Sequence, residues 1–193
     1  MSETADKRRR ADLDLFVLAL IESGISTPYD LQKFAGISQG ASIPVLRRLI
    51  EGGLVRPKKA GSRGRTAHQI TLTGRKMLKT GWRALVDAEP TGDLDADLRV
   101  ALLALAVGRD RRGAVEYLRR SANKKASLTR LEQEDTAAGP LLARWYSGLR
   151  ADAAVSLRRA ESEVIRTLAD DLPRNLTRTD GQGRLSLRRR SPS

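Results

Sequence analysis

The residues best suited to chemistry in this chain are cations. In VRPKKAGSRGRTAHQITLTGR, from Val55 to Arg75, the first half carries Arg56, Lys58, Lys59, Arg63 and Arg65, interleaved with glycines and free of acids. Clustered ammonium and guanidinium groups displace counterions from phosphates, so the chemistry they suit is non-covalent capture of a polyanion. A second group lies in SQGASIPVLRRLIEGG, where Gln39, Ser42, Arg47 and Arg48 are expected on one side of a helix. Glutamine can bond adenine through two contacts and arginine guanine through two, both in the major groove of duplex DNA. Arg47 and Arg48 could equally touch phosphates or nearby acids. Tyr29 and Lys33, at the start of the preceding helix, are placed to clamp a phosphate, although Tyr29 suits a core position as well.

The signals of covalent chemistry are missing. There is no cysteine, which excludes disulfides and thiolate metal sites and fits a reducing cytoplasm. The single histidine, His68, falls on an expected strand, and one histidine does not make a metal site. No phosphate-binding G-x-x-x-x-G-K-[ST] loop and no G-x-S-x-G elbow occurs. The acids Asp93, Asp95 and Asp97 sit at a helix start, where carboxylates favour the dipole, and read as capping groups. These features predict a chain that is not an enzyme and needs no cofactor or metal.

Charge supports a polyanion partner. The chain of 193 residues has a net charge of +13, unevenly distributed. Residues 1–87 hold 16 Lys/Arg against 8 acids, residues 88–173 hold 14 of each, and residues 174–193 hold six Arg and one Asp. The middle resembles an ordinary solvated surface, and the two ends resemble phosphate-binding surfaces. No apolar run is long enough to cross a membrane, and LDLFVLALI near the N-terminus reads as a core helix rather than a signal peptide.

The elements that must position these residues follow from periodicity and breakers. Residues 1–11 are expected to be a disordered basic N-terminus. A helix begins at Asp12 or Asp14 and runs to about Ser23, with Leu13, Phe16, Val17, Leu20 and Ile21 facing the core; Gly24 stops it. Ile25–Thr27 could form a very short strand. A short helix from Pro28 turns Leu31 and Phe34 inward, and Gly36 breaks it. The next helix ends at Gly52–Gly53 with Ile43, Leu46, Leu49 and Ile50 toward the core. Pro44 leaves its start open, since proline deep in a helix loses a hydrogen bond: either Ser42 begins the helix, or Ser38 does and the helix bends. LVRPKK and HQITLT then form two strands around AGSRG, and a helix from about Thr73 to Asp87 buries Met77, Leu78, Trp82 and Leu85.

Residues 89–93 read as a linker, closing a first domain at 12–88. Residues 94–107 are nearly all apolar, a more polar helix runs from Asp110 to about Asp135, and Gly139–Pro140 precedes a last helix ending at Pro173. That helix repeats apolar residues at 142, 146, 149, 153, 157, 160, 164 and 168. Such a stripe calls for a second copy of the chain, or for an intramolecular three-helix bundle within 94–173. Residues 174–193 are expected to be a disordered basic tail.

A hairpin with a cationic tip directly after a helix–turn–helix describes a winged helix, whose second helix lies in the major groove while the wing reaches flanking DNA. TPYDLQK, GASIPVLRRLIEGGLV and GRTAHQITLTGR resemble the PadR family of bacterial transcriptional regulators. The resemblance rests on Gly40, Pro44, Leu46, Arg47, Arg48, Leu49, Gly53 and Leu54, then Thr71, Gly74 and Arg75. Ala41, Ile43 and His68 depart from the family pattern, which commonly has Thr, Tyr and Tyr there, and winged-helix repressors of the MarR type are also similar. The resemblance implies a C-terminal helical dimerisation domain and a planar aromatic effector, for which Trp82, Trp145 and Tyr146 are the candidate lining unless they are plain core.

The expected fold is therefore mostly α, a winged helix-turn-helix domain with a small β-hairpin wing followed by a helical dimerisation domain. The expected function is a homodimeric, cytoplasmic, sequence-specific regulator of double-stranded DNA, a repressor relieved by a small molecule. DNA contacts are assigned to Tyr29, Lys33, Gln39, Ser42, Arg47, Arg48, Lys58, Lys59, Arg63 and Arg65. The rival expectation is a protein-interaction adaptor whose basic ends dock an acidic partner. RNA binding is weaker, because only seven aromatic residues are present and few lie beside cations.

Overall fold

The computed structural model describes residues 3–58, 66–132 and 141–175. Along them run α1 (Glu3–Glu22), α2 (Pro28–Ala35), α3 (Gln39–Glu51), β1 (Val55–Lys58), β2 (Ala67–Ile70), α4 (Leu72–Asp87), α5 (Leu94–Ala106), α6 (Arg111–Glu132) and α7 (Leu141–Asn175). The fold is mostly helical with one two-stranded antiparallel hairpin, an arrangement compatible with a winged helix. None of the described helices is long and apolar enough to cross a membrane.

Short-range chemistry sets the helix starts. Thr27 caps α2: its Oγ1 accepts from the Asp30 backbone N–H at 3.1 Å and donates to Asp30 Oδ2 at 2.7 Å. Pro28 follows in the first turn, where its missing N–H costs nothing. Gly36, at φ 68°, ends α2 in the left-handed conformation that glycine adopts without a Cβ penalty. Ser38 caps α3 by accepting from the Ala41 N–H at 3.2 Å, so the helix starts early and runs through Pro44. Thr71 caps α4 by accepting from the Gly74 N–H at 3.0 Å.

Several expectations are corrected. Helix α1 begins at Glu3, ahead of Asp12 and Asp14, because Ala5, Lys7 and the arginines that follow are good helix formers. Asp12 is buried inside α1 and is no cap. The buried stripe of α1 is Leu15, Val17, Leu18 and Ile21, whereas Leu13, Phe16 and Leu20 are half-buried. No strand forms at Ile25–Thr27; the Ser26 carbonyl instead accepts the His68 backbone N–H at 2.9 Å. Phe34 is exposed, as are Met77, Ile43 and Ile50. Helix α7 continues through Pro173 to Asn175. The tail beyond residue 175, the segment 133–140 and the hairpin tip 59–65 lie outside the described residues.

The chain groups into two units, one of Met1–Ala88 with Leu102–Arg109, the other of Glu89–Ala101 with Asp110–Ser193. Residues 102–109, assigned from the sequence to the C-terminal body, thus group with the first unit. There, Leu18, Leu31, Val45, Leu49, Leu78 and Trp82 are among the buried side chains. Each fully buried Leu or Val contributes about 1.5–3 kcal/mol relative to exposure. The hairpin pairs Val55 with Ile70 at its buried base and Lys58 with Ala67 toward its tip, so it is rooted in the core and projects outward.

Two close approaches explain the motif at the start of α4. Thr71 Oγ1 donates toward the Gly53 and Leu54 carbonyls at 2.8 and 3.1 Å, which ties α4 to the chain leaving α3. A Cβ on Gly74 would lie 2.2 Å from the Leu54 carbonyl oxygen, so only glycine fits. Arg75 Nε then reaches Glu22 of α1 at 3.2 Å.

In the second unit α6 and α7 run antiparallel. Arg119 bonds Asp170 at 3.0 Å, Ser162 Oγ donates to the Ala122 carbonyl at 3.1 Å, and Lys125 pairs with Glu161. The buried face of α7 holds Val155, Ser162, Ile165 and Ala169. The apolar repeat found in the sequence faces the other way: Leu142, Tyr146, Leu149, Leu157 and Val164 are exposed by half or more. The segment expected as a linker is fastened down. Asp97 is 1% exposed and accepts from the Thr91 N–H, Thr91 Oγ1, the Gly92 N–H, Tyr117 OH and Ser121 Oγ. Of the three acids read as caps, Asp93 caps α5 through the Ala96 N–H at 2.9 Å, Asp95 is exposed, and Asp97 is this buried acceptor.

Candidate nucleic-acid interface

Helices α2 and α3 are joined by a three-residue turn, Gly36–Ile37–Ser38, whose middle residue is buried. That geometry presents the outer face of α3. Four of its thirteen residues, Ser42, Val45, Leu46 and Leu49, are buried and fix its rotation about its own axis. The face left outward carries Gln39, Gly40, Ile43, Pro44, Arg47, Ile50 and Glu51.

Ser42 is therefore not on the exposed face. It is fully buried, with its Oγ donating to the Gln39 carbonyl at 3.4 Å, a bond inside its own helix that lets a small polar residue enter the core. Ile43, expected in the core, stands 49% exposed in its place. The two differ by one position, about 100° around the helix.

The adjacent arginines have different fates. Arg48 turns back to α1, where Nε donates to Asp14 Oδ2 at 3.0 Å and Nη2 to Oδ1 at 2.5 Å, a two-pronged pair linking α1 to α3. The hydrogen bond to Asp14 raises the Arg48 pKa above its ordinary value, partly offset by burial. The side chains are 39% and 24% exposed, so solvent screening limits the pair to about 1 kcal/mol. Arg47 is exposed and has no hydrogen-bond or ion-pair partner among the described residues. Gln39 is exposed at the first position of α3.

On α2, Tyr29 is 43% exposed and Lys33 is exposed, four residues apart on one face. The Lys33 ammonium sits 5.1 Å from the centroid of the Phe34 ring, which is 64% exposed. Lys58 is exposed at the outer end of β1, while Lys59, Arg63 and Arg65 lie outside the described residues. His68 is held by the loop before α2, its Nδ1 being 3.0 Å from the Ser26 carbonyl oxygen. A carbonyl only accepts, so Nδ1 carries the proton. Pro28, Ile43, Arg47, Ile50 and His68 border a shallow groove where α2, α3 and β2 converge.

The three aromatics named for an effector differ in setting. Trp82 is buried in the first unit, where its Nε1 donates to the Lys79 carbonyl at 3.0 Å and Gly108 leaves room for its ring. Trp145 and Tyr146 stand exposed on α7. No group of three or more His, Asp or Glu among the described residues is placed to hold a metal ion.

Sequence reasoning missed Ile43 as a surface residue, and no signal in a single sequence marks it, since an isoleucine at helical spacing is ordinarily core. Comparison with protein-family models, with curated proteins and with solved structures finds no match to this chain.

Proposed function

We propose that this chain is a sequence-specific regulator that binds double-stranded DNA through α3 and the β1–β2 hairpin, as the resemblance to PadR-type winged-helix proteins implies. The observation that carries the reading is the split between Arg48, committed to Asp14, and Arg47, exposed two turns from Gln39 on the same outward face of a helix that follows a three-residue turn. Lys33 and Lys58 extend the cationic surface on either side of that helix in the sequence, and the +13 excess gives the long-range attraction. The exposed stripe of α7 supports self-association into a two-fold dimer, which matches two half-sites about one helical turn apart, roughly 34–36 Å. Trp145 and Tyr146 on α7 are the candidate surface for an aromatic effector.

The test is selection from a random duplex pool followed by sequencing. The reading expects a palindromic consensus and salt-sensitive binding to unspecific duplex. A protein that ignores duplex DNA at low ionic strength would refute it. The same α7 stripe favours a second reading, a protein-interaction adaptor, which expects no salt-sensitive duplex binding and a complex with an acidic protein instead.

A further inference from the structure

Resting on that DNA-binding reading, we propose that Ile43 is a base-reading residue that packs against the C5-methyl group of a thymine in the major groove. Ile43 occupies the middle of the outward face of α3, one turn from Gln39 and one turn from Arg47. It is 49% exposed although the same helix buries a serine, so its outward placement is decided by the fold and not by a shortage of apolar residues for the core. Thymine is the one base whose major-groove edge carries a methyl group, and apolar side chains read it by contact.

Gly40 is a second, independent observation. It lies one turn before Ile43 on the same face, and a Cβ there would meet only Ser38 Oγ at 3.9 Å. Its φ is not positive, so neither backbone conformation nor internal packing requires glycine there. A missing side chain on an exposed helix face lets another molecule approach the backbone closely. The charge of this part of the chain selects the occupant: Arg47 on this face and Lys33 and Lys58 on the neighbouring elements α2 and β1 are exposed, and the one exposed acid of α3 is Glu51, which suits a polyanion better than an apolar protein surface.

Spacing narrows the site. Ile43 and Arg47 are four residues apart, about 6 Å along the helix, which spans one to two base pairs at roughly 3.4 Å each. The thymine read by Ile43 therefore lies within two base pairs of a guanine read by Arg47.

The experiment uses the full chain and the duplex it selects from a random pool. Each thymine is replaced singly by deoxyuridine, which removes only the methyl group, and affinity is measured for the wild type and for Ile43→Ala. Loss of one buried methyl group weakens binding about fourfold. The expected result is one sensitive thymine per half-site, within two base pairs of a guanine whose 7-deaza substitution also weakens binding. Ile43→Ala should bind the thymine duplex about fourfold more weakly and lose its sensitivity to deoxyuridine there, while Ile50→Ala keeps it. Specific binding indifferent to every deoxyuridine, or an Ile43→Ala protein that keeps the wild-type sensitivity, overturns the inference and leaves the DNA reading standing. Failure to select any duplex overturns both, and a protein partner whose binding is lost in Ile43→Ala would then identify this face as a docking surface.

Discussion

Asp97→Asn barely alters side-chain volume, and its cost follows from the direction of five hydrogen bonds. Oδ1 accepts from the Thr91 N–H at 3.0 Å, Thr91 Oγ1 at 3.1 Å and Tyr117 OH at 2.9 Å. Oδ2 accepts from the Gly92 N–H at 2.9 Å and Ser121 Oγ at 2.6 Å. Hydroxyls can rotate to become acceptors, but backbone N–H groups cannot, and each carboxylate oxygen serves one of them. Either orientation of an asparagine amide therefore aims its NH2 at an N–H. The variant loses one charge-assisted bond, about 1.5–3 kcal/mol, and strands a buried donor at about 1–3 kcal/mol. Allowing for relaxation, the expected loss is about 3 kcal/mol, or roughly 6–12 °C in Tm for a chain of this size. Urea unfolding followed by far-UV circular dichroism measures it, with exposed Asp95→Asn as the control expected within about 0.5 kcal/mol of wild type. Hydrogen exchange should quicken at the Thr91 and Gly92 amides. If Asp97→Asn is as stable as Asp95→Asn and those amides stay protected, the assignment of Asp97 as the fastening point of this segment is wrong.

Gly74→Ala must push its Cβ into the Leu54 carbonyl and should cost more than about 2 kcal/mol, whereas Gly40→Ala meets open space within a helix and should be neutral or stabilise by up to about 1 kcal/mol; urea titrations of both variants check the contrast. Arg48→Ala should lower stability by about 1 kcal/mol through loss of the Asp14 pair, and a double-mutant cycle with Asp14→Ala should recover that coupling. Arg47→Ala should leave unfolding unchanged and weaken duplex binding. Lys58→Ala should weaken binding on all sequences alike and reduce the slope of log K against log salt by about 1, read from titrations at several ionic strengths. Leu149→Glu with Leu157→Glu places charge on the exposed α7 stripe, and under the proposed self-association sedimentation should show a dimer for the wild type and a monomer for the variant.

What the sequence determined by itself was the local grammar of the first unit. Gly36 stops α2 in the left-handed conformation and Ser38, one of the two starts left open, caps α3, while Thr27 and Thr71, expected within strands, cap α2 and α4 with side-chain oxygens bonded three residues ahead. These are short-range interactions, so the order helix, helix, helix, strand, strand, helix could be read before any packing was known. The tertiary structure decided which side of each element is inside. Helical periodicity specifies spacing and not azimuth, and a one-residue error rotates a face by about 100°. Ser42 could enter the core because its hydroxyl is satisfied within its own helix, which left Ile43 outside. Partners distant in sequence were equally illegible: Arg48 finds Asp14 across 34 positions, and Asp97 collects Tyr117 and Ser121 from α6. A capping carboxylate and a buried acceptor are the same residue type at the same kind of helix start, and only the donors that the fold brings around Asp97 distinguish them.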